Sequence, residues 1–273
     1  MLSGLYALIA IGFTLIFGVG GVLNLAHGAS IVMGAFSYFG ARALGSGVLL
    51  AVVAAVVVPG IVMGVVYLGM ISRFEDEPIM VLILTLVFAV VVEQVVLNLV
   101  GASPTVLSIT EGTVSILGVS FTITRVLMFA ISLSLVGLLI AFINFTRLGR
   151  AIVATSQSRK GASLVGIDSG RINLLIWMLA GAFAGLAGMF LGATQGASFR
   201  MGRGPLVLAF SIVVVGGIGS VRGSVLGAFI IGFAEVLTVS MISSKLSGLA
   251  SLVILVLVLL VKPEGLFGHE YAE

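Results

Sequence analysis

Hydrophobic runs of about twenty residues, the length that crosses a bilayer core of about 30 Å as an α-helix, recur along this chain with only brief polar breaks between them. A chain patterned this way has too little polar sequence to coat a water-facing surface. Charged residues make up 8% of the 273, against about 25% in soluble domains, and 60% are apolar. The mean hydropathy is +1.34. Lipid is therefore the solvent for most of the surface. Eight spans would take about 160 residues and leave about 110 for connections, whereas twelve would not fit. Residues 1–10 carry no basic n-region and lead into a hydrophobic segment with no small-residue cleavage site, so the first helix is expected to be retained.

The runs predict spans at 2–19, 29–43, 48–71, 79–100, 126–145, 172–195, 224–242 and 249–261. The stretch 206–219 is about 14 residues long and ends in Gly216-Gly217-Ile218-Gly219, which suits a broken or re-entrant segment better than a full crossing. Orientation comes from 146–171, where Arg147, Arg150, Arg159, Lys160 and Arg171 face a single acid, Asp168; the positive-inside rule places this segment in the cytoplasm. Residues 101–122 are then extracytoplasmic, and the 72–78 turn, with Glu75-Asp76-Glu77, lies inside. Arg200, Arg203 and Lys245 cannot all be cytoplasmic in a simple topology, so the C-terminal orientation depends on whether 206–219 crosses. Gly20-Gly21-Val22 through His27-Gly28 to Gly34-Ala35-Phe36 is similar to Gly216-Gly217-Ile218 through Arg222-Gly223 to Gly227-Ala228-Phe229. Either the chain consists of two related halves, or glycine is simply frequent in membrane helices. The expected fold is an all-α polytopic membrane protein of about eight transmembrane helices with broken Gly-rich segments, one domain over residues 1–273.

Several chemistries are excluded. There is no Cys, so neither a disulfide framework nor a thiolate site exists, and His27 with His269 cannot make a histidine metal cluster. The lysines, Lys160, Lys245 and Lys262, lack the flanks of a P-loop, and no nucleophile set or paired carboxylates stand out. The net charge of +3 is scattered among apolar runs rather than gathered into a nucleic-acid-binding stripe. The chain is thus expected to act neither as an enzyme nor on nucleic acid, and to bind no cofactor itself.

Three groups of residues invite a functional reading. Ala151, Ala154, Ser158, Ala162 and Val165 recur at three- and four-residue steps, one narrow small face on a helix, with Arg150, Arg159 and Lys160 elsewhere. Such a face either inserts into a groove on another protein or belongs to an amphipathic helix lying on anionic headgroups. Gly161 and Gly166 weaken a continuous helix, so two short pieces joined near Ser158, which can N-cap the second, are expected. Gly181, Gly185, Gly188, Gly192 and Gly196 form a smooth stripe for close helix approach, within the chain or at a dimer interface. Glu93, with Gln94 and Asn98, and Glu235 are intramembrane polar groups; Glu93 is either a pathway residue or an interhelical hydrogen-bonding contact. His27 reads as a hydrogen-bonding residue at a helix break or as a titrating switch.

Tyr6-Ala7-Leu8-Ile9-Ala10-Ile11-Gly12-Phe13-Thr14-Leu15-Ile16-Phe17-Gly18 with Asn24-Leu25-Ala26-His27-Gly28 resembles the opening of permeases of branched-chain amino acid ABC importers, H-type (LivH-like) rather than M-type. The likeness continues through Thr146-Arg147-Leu148-Gly149-Arg150-Ala151, Gly166-Ile167-Asp168 and Gly216-Gly217-Ile218-Gly219-Ser220 to Lys262-Pro263-Glu264-Gly265-Leu266-Phe267-Gly268. It departs from the usual pattern at Val153, where Arg is frequent, and at Ser158-Arg159-Lys160, where an acid is common. The resemblance implies a multi-pass permease of a prokaryotic cytoplasmic (inner) membrane, carrying branched-chain or other hydrophobic amino acids. Its partners would be a second permease subunit (M-type or a second copy), two ABC ATPase subunits holding ATP and Mg, and an extracytoplasmic substrate-binding protein. It also implies that the cytoplasmic segment 146–171 is the seat of an ATPase, with Arg147, Gly149, Arg150, Ala151, Ala154, Ser158, Ala162, Val165 and Gly166 as coupling residues. Candidates for the translocation path are Asn24, His27, Gly28, Glu93, Gly216, Gly217 and Gly219, on the precedent of broken helices in other transporters. The competing class is an ion-coupled secondary transporter or channel centred on Glu93.

Overall fold

The computed structural model describes residues 1–116, 118–243 and 246–267; Lys245, Gly268 and His269 lie outside them. In a bilayer the backbone finds no water, so apolar sequence satisfies its N–H and C=O groups internally as helix. The described residues form α1 (Leu2–Gly20), α2 (Ala26–Ala43), α3 (Val48–Gly69), α4 (Pro78–Val100), α5 (Ile123–Phe145), α6 (Arg147–Gln157) and α7 (Arg159–Leu164). These are followed by α8 (Ser169–Gln195), α9 (Arg203–Gly216), α10 (Val221–Met241) and α11 (Leu249–Val261). A short antiparallel hairpin, β1 (Thr113–Ile116) and β2 (Val119–Thr122), pairs Thr113 with Thr122 and Ile116 with Val119. The sequence reading had no strand here: the hairpin is four residues a side, turned by Gly118 at φ 80°, and too short for its alternation to stand out.

Six helices, α1, α3, α4, α5, α8 and α10, are long and apolar enough to cross a membrane. The other two expected spans differ from them for separate reasons. Helix α2 has 18 residues and is less apolar because its neighbours are protein: it packs on α8, α3 and α4, and His27, Ser30 and Tyr38 are buried. Helix α11 has 13 residues and α9 has 14, about 20 Å each at 1.5 Å per residue, short of a 30 Å core. Both are half-length helices.

Contacts between termini give the orientation that hydropathy left open. The basic segment α6–α7 marks the cytoplasmic end, and its Arg159 guanidinium donates to the carbonyl of Gly20 at 3.3 Å, so α1 ends there. Gly18 meets Gly219, placing the α9–α10 turn at the same end. After α11 the chain docks Leu266 N–H on Val215 O at 2.9 Å and Phe267 N–H on Gly216 O at 3.0 Å, so it too ends at the cytoplasmic side. At the opposite end Thr105 and Ala197 exchange backbone hydrogen bonds of 2.8 and 2.7 Å, and the Tyr38 hydroxyl donates to Ser108 O at 2.7 Å. Residues 101–122 thereby close over α2 and α8.

The core is a seam of backbone against backbone. Gly34 lies on Gly185, Gly188 on the Ile31 carbonyl, Gly181 on Pro59 and Met63, and Gly192 on Leu107. The stripe on α8 therefore faces α2, α3 and the outer loop of the same chain. Gly196 is not part of it: it follows the helix end with φ 86°, where a residue without Cβ lets the chain turn.

Candidate functional site

The cytoplasmic face is built by three side-chain caps. Thr146 begins α6 by accepting from Gly149 N–H at 2.9 Å while its own hydroxyl donates to Phe142 O at 2.7 Å, which joins α6 tightly to the end of α5. Gly149 sits where a Cβ would overlap Phe142 O and Ile143, so only glycine permits this angle. Ser158 accepts from Gly161 N–H at 3.0 Å and begins α7, the two-piece arrangement expected of the sequence. Asp168 accepts from Arg171 N–H at 3.2 Å and starts α8.

Ala151, Ala154, Ser158, Ala162 and Val165 do not share one face. Ser158 is extended, with φ −160° and ψ 112°, which turns α7 off the axis of α6 and breaks the 3.6-residue register that would have aligned them. Ala162 is buried, Ala151 and Ala154 are half-buried, and Val165 is 76% exposed. What α6 turns inward is Gly149, Ile152 and Thr155. What the segment presents outward is apolar and basic: Leu148, Val153, Leu164 and Val165 are exposed beside Arg147, Arg150 and Lys160. Gly166, at φ 82°, ends the second piece.

Behind this surface lies a polar junction that sequence reasoning missed. Glu75 Oε2 accepts from Arg159 at 3.1 Å; its Oε1 accepts from Asn173 Nδ2 at 3.1 Å and from the Tyr67 hydroxyl. Tyr67 leans on Trp177, with ring centroids 5.9 Å apart. Glu75 thus ties α7, α8 and α3 together, and Arg159 adds α1 through Gly20, a cation at the carbonyl end of a helix. Glu75 and Arg159 are 84 residues apart, so no local pattern marked the pair. The opposite charges of the 72–78 turn and the 146–171 segment, both cytoplasmic by topology, were the available signal.

The path candidates divide. Asn24 and His27 are buried: Asn24 Oδ1 accepts from Ala26 N–H at 2.9 Å, and His27 Nε2 lies 2.9 Å from Ile9 O, with Nδ1 and the Asn24 amide nitrogen unpartnered. Gly216 packs on Gly223, and Gly217 and Gly219 take φ of 103° and 78° in the turn before α10. Gly219 borders a cavity of about 190 Å³ with Gly18, Ser156 of α6 and Arg222. Gly28, against Gly202, borders another of about 330 Å³ with Glu93 and Arg203. Arg203 holds Glu93 in a two-pronged ion pair, Nε to Oε1 at 2.8 Å and Nη2 to Oε2 at 2.5 Å. The pair joins an exposed arginine on the extracytoplasmic half to a buried carboxylate, so the arginine offsets the charge of Glu93. The two glycine-rich segments differ in form, a run from Gly21 to Leu25 into the middle of the bundle in one case and a tight turn at 217–220 in the other.

Comparison with known proteins places the chain. Residues 1–261 match the model of a family described as branched-chain amino acid transport system, permease component. The chain is 30% identical to the high-affinity branched-chain amino acid transport system permease protein LivH of Escherichia coli K12, over 100% of its own length and 94% of that protein. It is 30% identical to the corresponding permease protein BraD of Pseudomonas aeruginosa, over 98% and 93%. A probable branched-chain amino acid transport permease of Methanocaldococcus jannaschii is 31% identical over 40% of this chain. No solved structure matches.

Proposed function

The chain belongs to the branched-chain amino acid transport system permease family, and on that premise we propose that it is the translocating subunit of an ATP-driven importer for branched-chain or other hydrophobic amino acids. It works with a second permease chain, M-type or another copy, two ATPase subunits that hold ATP and Mg, and an extracytoplasmic binding protein that docks near 101–122. The observation that carries this reading is the cytoplasmic block α6–α7. It offers exposed Leu164 and Val165 with Arg150 and Lys160 to a partner, yet is fixed to the bundle by Arg159 and Glu75. A surface of that kind can be pushed: a displacement of α7 reaches α3 and α8 through the Glu75 carboxylate and α1 through Arg159 on Gly20 O. Nucleotide binding on the ATPases favours one arrangement of the pair, the coupling segment carries the bias inward, and hydrolysis resets it.

Glu93 gives the ion-coupled alternative little support, since both of its oxygens are engaged by Arg203. The test is purification of the tagged chain from its native membrane, identification of co-purifying proteins, and ATP-driven leucine uptake. Recovery of P-loop ATPases is expected, with uptake abolished by Arg150→Glu together with Ala154→Trp. A chain that purifies alone, or uptake unchanged in the double variant, overturns the reading.

A further inference from the structure

The extracytoplasmic third of the bundle holds a cavity of about 440 Å³, within the range of about 300–1,000 Å³ usual for small-molecule sites. Its wall contains Glu235 of α10, which is 3% exposed, together with the polar side chains of Tyr6, Gln195, Ser247 and Ser251. Oε1 of this carboxylate is occupied: it accepts from Ser247 Oγ and from Gly248 N–H, both at 2.6 Å, and so tethers the approach to α11. Oε2 is buried with no hydrogen-bond partner. A tether needs one acceptor oxygen; a serine or an amide would provide it without bringing a charge into the membrane.

The opposite sign is supplied by a helix end. Both half-length helices begin at this cavity, α9 with Gly204 and Pro205 on its wall and α11 with Gly248 and Leu249. Neither has a side-chain cap from its own N-cap residue, but Gly248 N–H at the start of α11 already donates to Glu235, so the positive end left open to this space is that of α9. The remainder of the lining is largely apolar, with Leu191, Leu208 and Leu252. A negative group, an open positive helix end at α9 and a leucine wall around one small volume are complementary to a zwitterion with an apolar side chain.

We propose that this cavity is a binding site for an α-amino acid, its ammonium on the Glu235 carboxylate, its carboxylate at the N-terminal end of α9, and its side chain against the leucines. The assignment rests on the importer reading above and adds a stopping point for the substrate inside this chain. The same chemistry, ammonium with an anionic group, is carried by an aminophospholipid headgroup, so the experiment separates the two sources.

The full chain is placed in nanodiscs of phosphatidylglycerol alone, which carries no ammonium, and titrated with radiolabelled L-leucine. Saturable binding is expected, weakened about tenfold or more by Glu235→Gln, as loss of a charge-assisted hydrogen bond implies. The amide keeps an acceptor for Ser247 and Gly248, so the fold survives; unchanged gel-filtration behaviour checks this. Leu252→Trp, which fills the cavity from a partly exposed position, is expected to remove binding without touching the carboxylate. Leucinol, lacking the carboxylate, and 4-methylpentanoate, lacking the ammonium, are expected to compete at least tenfold less well than isoleucine. Absence of saturable binding, or binding indifferent to both substitutions, overturns the site. So does native mass spectrometry in which wild type, but not Glu235→Gln, retains phosphatidylethanolamine that leucine cannot displace. Uptake by the assembled importer separates the two readings: ATP-driven uptake with leucine binding unaffected by Glu235→Gln removes the site alone, and Glu235-dependent binding without ATP-driven uptake removes the importer reading alone.

Discussion

The α2–α3–α8 seam and the α9–α10–α11 sector share close glycine contacts, Gly216 on Gly223 in the sector, but differ in continuity. In the seam, glycines bring main chains into contact: Gly185 on Ala55 and Pro59, Gly188 on Ile31, Gly34 on Gly185, with the helices long and continuous. Close approach gains many small dispersion contacts that cannot be lost one at a time. In the sector, two of three helices are half-length, the joints are glycines with positive φ at 217, 219 and 248, and a single carboxylate oxygen anchors the approach to α11. Cavities border Gly219 and Glu235 there. Turning points and cavities interrupt the packing of the sector around its one tight joint, whereas the seam is close-packed along continuous helices. On this contrast we expect the seam to act as the frame and the sector, whose turn before α10 borders the same cavity as Ser156 of α6, to be the part that moves.

The largest expected effect comes from breaking the frame. Gly188→Leu places a side chain on the Ile31 carbonyl, which belongs to a helix backbone and cannot step aside. Destabilisation beyond the roughly 3 kcal/mol usual for overpacking is expected, with the protein absent from the monodisperse fraction after detergent extraction. A well-folded Gly188→Leu chain would mean that the seam yields, and the contrast between frame and moving sector would lose its basis.

Next in size is the junction through which α7 reaches the seam helices α3 and α8. Glu75→Ala leaves two buried donors, the Tyr67 hydroxyl and Asn173 Nδ2, without an acceptor and frees Arg159. Each orphaned donor costs about 1–3 kcal/mol, less where water reaches the half-buried carboxylate site. ATPase subunits are expected to co-purify as before, since Leu164 and Val165 are untouched, while ATP-driven uptake falls by about tenfold or more, as for loss of a charged contact. Equal loss of assembly and uptake would make Glu75 a folding residue rather than a link.

Much of this division was legible beforehand. Hydrophobic length located the long spans, the four- and three-residue glycine steps on α8 announced a close-packed face, and Ser158 with the nearby glycines foretold two short helices in place of one. Three things were not legible, each for a physical reason. The small-residue face through Ala151 and Val165 assumed a single helical register, and one extended residue at Ser158 cancels it. Helix α2 reads as an ordinary short span, because a window of sequence does not reveal that its neighbours are protein on several sides. The partners of Glu75, Glu93 and Glu235 are set by tertiary approach: Arg203 is 110 residues from Glu93, and no periodicity connects them.

The finest expected effect tests the hinge between the two cytoplasmic pieces. Ser158→Ala removes the oxygen that accepts Gly161 N–H, in a segment open to water, so the cost is at the low end of a lost N-cap, about 0.5–1 kcal/mol confined to α7. Global unfolding is expected to stay in place, because α7 has six residues and only Ala162 buried. Hydrogen exchange at Gly161 and Ala162 is expected to quicken several-fold, and uptake to fall by less than in Glu75→Ala, since Arg159 still reaches Glu75 from a frayed turn. If uptake in Ser158→Ala fell as far as in Glu75→Ala, the transmitting element would be the α7 helix itself, and the ion pair would serve only to seat it.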